Sequence, residues 1–246
     1  MKPSLRYLLL LSVLTLPFVP RLSAVEAVKP AGTIVLFNGR DLTGWVPVAQ
    51  DGPPPADTWR VADGLIQCTG KPNGYIRTAA RYRDYRLTVE WRWVPGPQPL
   101  RPDGTPRNRN NGVLLHMDPP DGVSPKSLEA QLMETNAGDF YVIGGVETAE
   151  HARLVAQAVA AAGKDEKALA AARNDRRTPK AKPSSEKPLG EWNTYDIVCS
   201  GDTVVVSVNG VEQNRATGMT VREGHICLQS EGAPIEFRNV KLEPLE

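Results

Sequence analysis

The sequence predicts an all-β sandwich of two sheets, interrupted by one short helical insertion. Three observations carry that prediction. Apolar and polar residues alternate in short runs, most clearly from Arg86 to Val94. There Leu87, Val89, Trp91 and Trp93 face one way and Arg86, Thr88, Glu90 and Arg92 the other. Turn dipeptides separate the runs, Asp63-Gly64 and Asn209-Gly210 being the strongest hairpin signals. The 246 residues include 21 glycines and 22 prolines, as a fold with many turns requires. With 41% hydrophobic residues the chain can bury a real core as one domain with appendages.

The N-terminus reads as an export signal over residues 1–24. Lys2 and Arg6 precede the apolar run Leu8 to Val19, and Leu22-Ser23-Ala24 offers a small-residue cleavage site, with Val25-Glu26-Ala27 a second. The run is shorter than the roughly 20 residues of a spanning helix. The mature protein, beginning near Val25 or Val28, is expected in the periplasm or outside the cell, without a membrane anchor. A formal net charge of +1 and the lack of a dense basic patch exclude nucleic acid as a partner.

From residue 30 onward the elements follow in order. Thr33 to Phe37 is a short strand and Asn38 to Leu42 a turn. Trp59 to Ala62 and Leu65 to Cys68 form a hairpin, and Arg86 to Val94 a long strand. Pro95 to Asn108 is a loop rich in Pro, Arg and Gly. Val113 to His116 and Ser127 to Glu134 are strands joined by the loop Asp118 to Pro125. Val204 to Val208 enters the Asn209-Gly210 turn; Gly224 to Gln229 and Ile235 to Leu242 complete the set. Residues 147–185 break the pattern. Leu154, Val155, Ala158, Val159 and Ala162 make a helical stripe that Gly163 stops, Asp165 to Ala172 starts a second helix, and Pro179, Pro183 and Pro188 end helical structure. The segment is either a helical cover or partner surface, or a solvated loop. Deleting Thr148 to Ser184 is expected to remove no core strand. Three buried thiols are the favoured reading of Cys68, Cys199 and Cys227; the alternative is one disulfide, for which Cys199 and Cys227 are the pair.

Candidate chemistry gathers where strands carry polar residues opposite an apolar face. These are Glu90 and Arg92 on the first strand, Asn110 and His116 on the second with Gly112 leaving an opening, and Glu129 and Gln131 on the third. If the three strands are neighbours, one sheet face gathers two carboxylates, an arginine, a histidine and two amides, a set with catalytic capacity. Each has a plain alternative: Glu90 and Arg92 pairing across strands, His116 closing a strand end.

Two resemblances bear on this face. Glu129-Ala-Gln131-Leu-Met-Glu134 resembles the Glu-x-Asp-x-x-Glu signature of laminarinase-type glucanases, with Gln131 in place of the middle aspartate. A second resemblance spans nearly all of the mature chain. Leu36-Phe37-Asn38-Gly39-Arg40-Asp41-Leu42-Thr43-Gly44-Trp45, Asn110-Asn111-Gly112-Val113, Leu128-Glu129-Ala-Gln131-Leu, Gly190-Glu191-Trp192-Asn193, Ile226-Cys-Leu228-Gln229-Ser-Glu231-Gly232 and Ile235-Glu-Phe237-Arg238-Asn239-Val240 resemble ordered blocks of the 3-keto-disaccharide hydrolase family. That resemblance implies a concanavalin A-like jelly roll. His116 and Glu231 depart from the family's common Arg and His.

The resemblance further implies a carbohydrate substrate already oxidised at carbon 3. The ketone acidifies the carbon-2 hydrogen, a base removes it, and the glycosidic oxygen on carbon 1 leaves by elimination, with water adding afterwards. This needs a base, an acid and a stabiliser for the enolate oxygen. Glu129 and His116 are the expected acid and base, with Gln131 beside them. Glu90, Arg92, Asn110, Glu134 and Gln229 are the expected substrate contacts. No motif demands a cofactor, although a divalent cation held by Glu and His would polarise the ketone. The competing readings are a lectin-like carbohydrate-binding module and a retaining glucanase.

Overall fold

Two turns set the local geometry. Asp63 and Gly64 have φ of 53° and 74°, and Asn209 and Gly210 have 51° and 79°, so both dipeptides take the left-handed backbone of tight hairpin turns. The computed structural model describes residues 26–50 and 52–246, and the expected export signal lies outside them. In chain order the strands are β1 (Ile34–Val35), β2 (Trp45–Ala49), β3 (Trp59–Ala62), β4 (Leu65–Cys68), β5 (Gly74–Thr78), β6 (Tyr85–Trp93), β7 (Gly112–Asp118), β8 (Lys126–Gln131) and β9 (Phe140–Ile143). The helices α1 (Ala149–Ala162) and α2 (Glu166–Asn174) follow. Then come β10 (Arg177–Thr178), β11 (Asn193–Ser200), β12 (Thr203–Val208), β13 (Val211–Ala216), β14 (His225–Ser230) and β15 (Ile235–Pro244).

These strands form two antiparallel sheets packed as a jelly-roll sandwich. One runs β13-β12-β11-β6-β15-β4-β3 with β1 beside β15; the other runs β10-β9-β8-β7-β14-β5-β2. The alternation in β6 does what it predicts: Leu87, Val89 and Trp91 are fully buried and Trp93 nearly so. They meet Val113, Leu115, Leu128, Ala130, Ile226 and Leu228 from the second sheet in one core.

The expectation that three polar strands adjoin is corrected here. β7 and β8 pair, but β6 belongs to the opposite sheet, between β11 and β15. Periodicity reports which way a side chain points, not which sheet carries the strand. Glu90 and Arg92 therefore lie on the outer face of the first sheet. Glu90 accepts from Arg238 Nε at 2.6 Å, and Arg92 Nε donates to Glu236 at 2.7 Å. They are cross-strand ion pairs, packed beside Trp192.

The insertion folds into a helical hairpin. Thr148 Oγ1 accepts from His151 N, Asp165 Oδ1 accepts from Lys167 N and Ala168 N, and Gly163 at φ 57° closes α1. No residue of α1 is buried, so the hairpin stays outside the core. The deletion of Thr148 to Ser184 would nevertheless remove a strand, because β10 pairs with β9 at the edge of the second sheet. All three cysteines are buried free thiols, the reading the sequence favours over a Cys199–Cys227 disulfide. Cys199 lies in the core between the sheets, whereas Cys227 lies in a small cluster with Tyr75, Leu114, Met117 and Ile143 on the second sheet's other face. Among the described residues no helix is long and apolar enough to cross a membrane.

Candidate active site

The outer face of the second sheet holds the cleft. Register places Glu129 opposite Leu114 on β7 and Tyr141 on β9, and Gln131 opposite Gly112. Leu128 and Ala130 face the core, so Glu129 faces outward. Gln229 reaches the same spot from β14, the strand on the other side of β7. Asn111 secures that approach: its Nδ2 donates to Gln229 O at 2.7 Å and its Oδ1 accepts from Gly112 N. Glu231, two residues beyond Gln229, completes the wall. A cavity of about 100 Å³ is lined by Glu129, Gln229, Glu231, Arg176, Asn73 and Ser124 among others.

Glycine at 112 makes this arrangement possible. A β-carbon there would overlap Gln229 Oε1, Glu129 Oε1 and Glu129 Cγ. The two carboxamide and carboxyl oxygens thus converge on bare backbone, and neither has a hydrogen-bond partner; nor has Asn110 Oδ1. Buried acceptors without donors are costly unless something else supplies the donor. Sugar hydroxyls are such donors.

The Glu129 carboxyl is raised to about 8, chiefly by burial and then by the neighbouring Glu231, with Arg176 opposing both. Glu231 is also raised by burial, but Arg107, Arg176 and Asn110 all favour its ionised form. The cleft therefore holds two carboxyls that burial raises, in unequal surroundings: Glu129 lies against bare backbone, whereas Glu231 has two arginines and an amide beside it.

Other expected residues sit elsewhere. His116 is not on this face. A register shift in the β7–β8 pairing between Leu115 and Asp118, with His116 at φ 53°, turns its ring inward. The ring packs edge-on against Tyr85 of the opposite sheet at 5.6 Å, and Nδ1 lies 3.4 Å from Val221 O. Burial lowers it to about 4, so it is a neutral core histidine. Glu134 lies beyond the end of β8, paired with Arg109 Nη1 at 3.1 Å, where it pins the Pro95–Asn108 loop. The glucanase-like spacing consequently does not bring a second carboxylate to Glu129. Gln131 is beside Glu129, but its Oε1 accepts from Met133 N at 2.8 Å. Asn110 adjoins Glu231, and Gln229 is in the cleft as expected.

Glu231 and Arg176 were not among the expected site residues. Alternation along β14 carries a signal for Glu231, since Cys227, Gln229 and Glu231 fall on one parity. Arg176 carries none, because it follows a helix in an insertion. The His and Glu ligands expected for a divalent cation are not brought together, and among the described residues no three His, Cys, Asp or Glu side chains cluster as a metal site.

Comparison with known proteins agrees with this architecture. The family described as the 3-keto-alpha-glucoside-1,2-lyase-like domain matches residues 32–243. A 3-keto-disaccharide hydrolase of Bacteroides thetaiotaomicron is 22% identical over 257 residues, covering 87% of this chain and 79% of its own length. A candidate glycosyl hydrolase from Parabacteroides distasonis superposes with a TM-score of 0.56 at 20% identity, covering 87% of this chain and 94% of its own. The β-glucanase of Bacillus licheniformis gives 0.52 at 11%, covering 89% and 100%. A carbohydrate-binding module from Bacillus subtilis gives 0.51 at 14%, covering 80% and 94%. At these identities the solved structures establish a shared fold.

Proposed function

This chain belongs to the 3-keto-alpha-glucoside-1,2-lyase-like domain family, and from that premise we propose that it cleaves the glycosidic bond of 3-keto-glycosides by elimination followed by hydration. The observation that carries the reading is the pair of carboxyls Glu129 and Glu231 lining one cleft, with Arg176 lining it beside them. Glu231, as carboxylate, takes the proton from carbon 2. The electron pair forms the carbon 1–carbon 2 double bond, the bond from carbon 1 to the glycosidic oxygen breaks, and Glu129 gives that oxygen its proton. Hydration runs the two roles in reverse, with water in place of the departed alcohol. Gln229, Asn110 and the floor at Gly112 orient the sugar. Export to the periplasm or exterior, read from residues 1–24, is part of the same proposal.

The test compares a 3-keto-glucoside with its parent glucoside. Rapid cleavage of the first only, with deuterium at carbon 2 of the product formed in heavy water, is the expected result. Cleavage of the parent at a comparable rate, or a product without deuterium, rules the route out. Retained sugar binding with no turnover of either compound favours the carbohydrate-binding reading, which the wider fold also supports.

A further inference from the structure

The helical insertion has no part in the core, yet its exit strand borders the cleft. Arg176 is the first residue after Asp175, which caps α2, and the backbone there is fixed from several sides. Arg176 O accepts from Val142 N at 3.0 Å. His151 Nε2 of α1 lies 3.0 Å from Asp175 O, and Asp175 Oδ1 accepts from Arg177 N at 2.9 Å. Arg177 Nε in turn donates to the buried Asp139 carboxylate at 2.7 Å. The main chain is thus clamped on both sides of Arg176. Its side chain is exposed, lines the Glu129 cavity and pairs with no carboxylate among the described residues. Arg107, the other arginine near Glu231, is differently employed: its guanidinium lies over the α-carbon of Gly232, where a β-carbon would overlap it.

We infer that Arg176, delivered by the helical insertion, binds the substrate oxygen on which negative charge develops during proton abstraction. This rests on the elimination reading above. As the carbon-2 proton passes to Glu231, the negative charge leaves that carboxylate and appears on the oxygen at carbon 3. A cation that already lines the cleft beside Glu231 can follow the charge across that short distance. Arg176 is therefore a catalytic residue supplied by the insertion, and α1 and α2 are the scaffold that places it.

The experiment uses the full chain with Arg176→Ala, Arg176→Lys and, as control, Arg173→Ala, an exposed position at the end of α2 that does not line the cavity. With a 3-keto-glucoside, Arg176→Ala should lower kcat by roughly a hundredfold with a small change in KM, the usual size of a lost oxyanion donor. Arg176→Lys should recover part of that loss, added guanidinium should partly rescue Arg176→Ala, and Arg173→Ala should match wild type. The second readout needs no turnover. In protein carrying carbon-13 carboxyl-labelled glutamate, Arg176→Ala should move the Glu129 titration midpoint upward, because a nearby cation has gone. If wild type cleaves no 3-keto-glycoside, the elimination reading fails by itself. A Glu129 midpoint unchanged in Arg176→Ala, or an unchanged kcat in an active enzyme, overturns the assignment of Arg176.

Discussion

Glu129 and Gln229, on strands to either side of β7, turn their Oε1 atoms toward the same point above the α-carbon of Gly112. Neither oxygen is hydrogen-bonded. An acidic proton and an amide are thereby held at a bare stretch of backbone, where the ring of a sugar can approach the sheet closely. Asn111 sets the distance by tying β7 to β14 through its own amide.

Gly112→Ala follows directly. The added methyl would collide with two side chains, at both Oε1 atoms and at Glu129 Cγ, rather than with backbone, so the sandwich should survive while the cleft is deformed. The expected result is a melting temperature lowered by only a few degrees, with kcat/KM reduced at least about tenfold. Thermal unfolding and steady-state kinetics on the same preparation check both halves. Full activity in the variant would mean that the convergence on Gly112 is not used.

Glu129 makes stability depend on pH in an unusual direction. Its folded value is raised from 4.5 to about 8. The folded protein therefore binds more protons than the unfolded chain between those values, and stability falls as pH rises through that window. The contribution is fully present below about 4.5. Glu129→Gln, neutral at every pH, should remove that slope and be more stable than wild type at pH 8 by a few kilocalories per mole. Urea unfolding at pH 5 and pH 8 measures the difference. Parallel losses in both proteins across the window would contradict a protonated Glu129.

His116 separates a core role from a catalytic one. It is neutral and buried against Tyr85, at a positive φ that asparagine tolerates. His116→Asn should lower the melting temperature through lost packing, while kcat at 20 °C stays within about threefold of wild type. A loss of about a hundredfold or more in a folded variant would return this histidine to the chemistry.

Arg177→Ala tests the clamp beside the cleft. Asp139 has a fully buried side chain, and its charge is met by Arg177 Nε and by Lys180 N at 2.8 Å. Removing the guanidinium leaves that carboxylate short of a partner, at a cost of about 2 kcal/mol once the partial exposure of Arg177 is allowed for. The double variant Arg177→Ala, Asp139→Asn should regain part of the loss. Chemical denaturation of the three proteins checks this, and equal stability of the single variant and wild type would refute it.

What the sequence made legible was local. The period-two run of β6, the two turn dipeptides and the Ala-rich helices with their Gly163 and Asp165 punctuation all fold as their residue types dictate. Glu129 was legible for the same reason: Leu128 and Ala130 had to go inward, so it had to go outward. The errors arise where position depends on the rest of the chain. Nothing within Arg86 to Val94 says that β6 lies between β11 and β15, so alternation alone puts Glu90 and Arg92 on a face with Glu129. The irregularity in β7 reverses the parity that placed His116 outside. Arg176 comes 47 residues after Glu129, through a helical hairpin, to line the same cleft.

The acid and base assignments predict how each carboxyl responds to the leaving group. If Glu129 protonates the departing oxygen, its importance depends on how badly that oxygen needs a proton. A sugar alcohol is a poor leaving group as its anion, whereas 4-nitrophenoxide departs readily without help. Glu129→Gln should therefore slow a 3-keto-disaccharide by roughly a hundredfold or more, but slow 4-nitrophenyl 3-keto-glucoside far less. Glu231→Gln removes the base for carbon 2, a step common to both substrates, and should slow the two about equally. Rates with each substrate for wild type and both variants form a closed set, in which each variant's two losses are compared with each other and not with an external standard. Equal losses for the two substrates in Glu129→Gln, with the leaving-group dependence appearing in Glu231→Gln, would exchange the roles. Leaving-group independence in both variants would mean that neither carboxyl protonates the glycosidic oxygen, and the proton would then have to come from water or from the substrate itself.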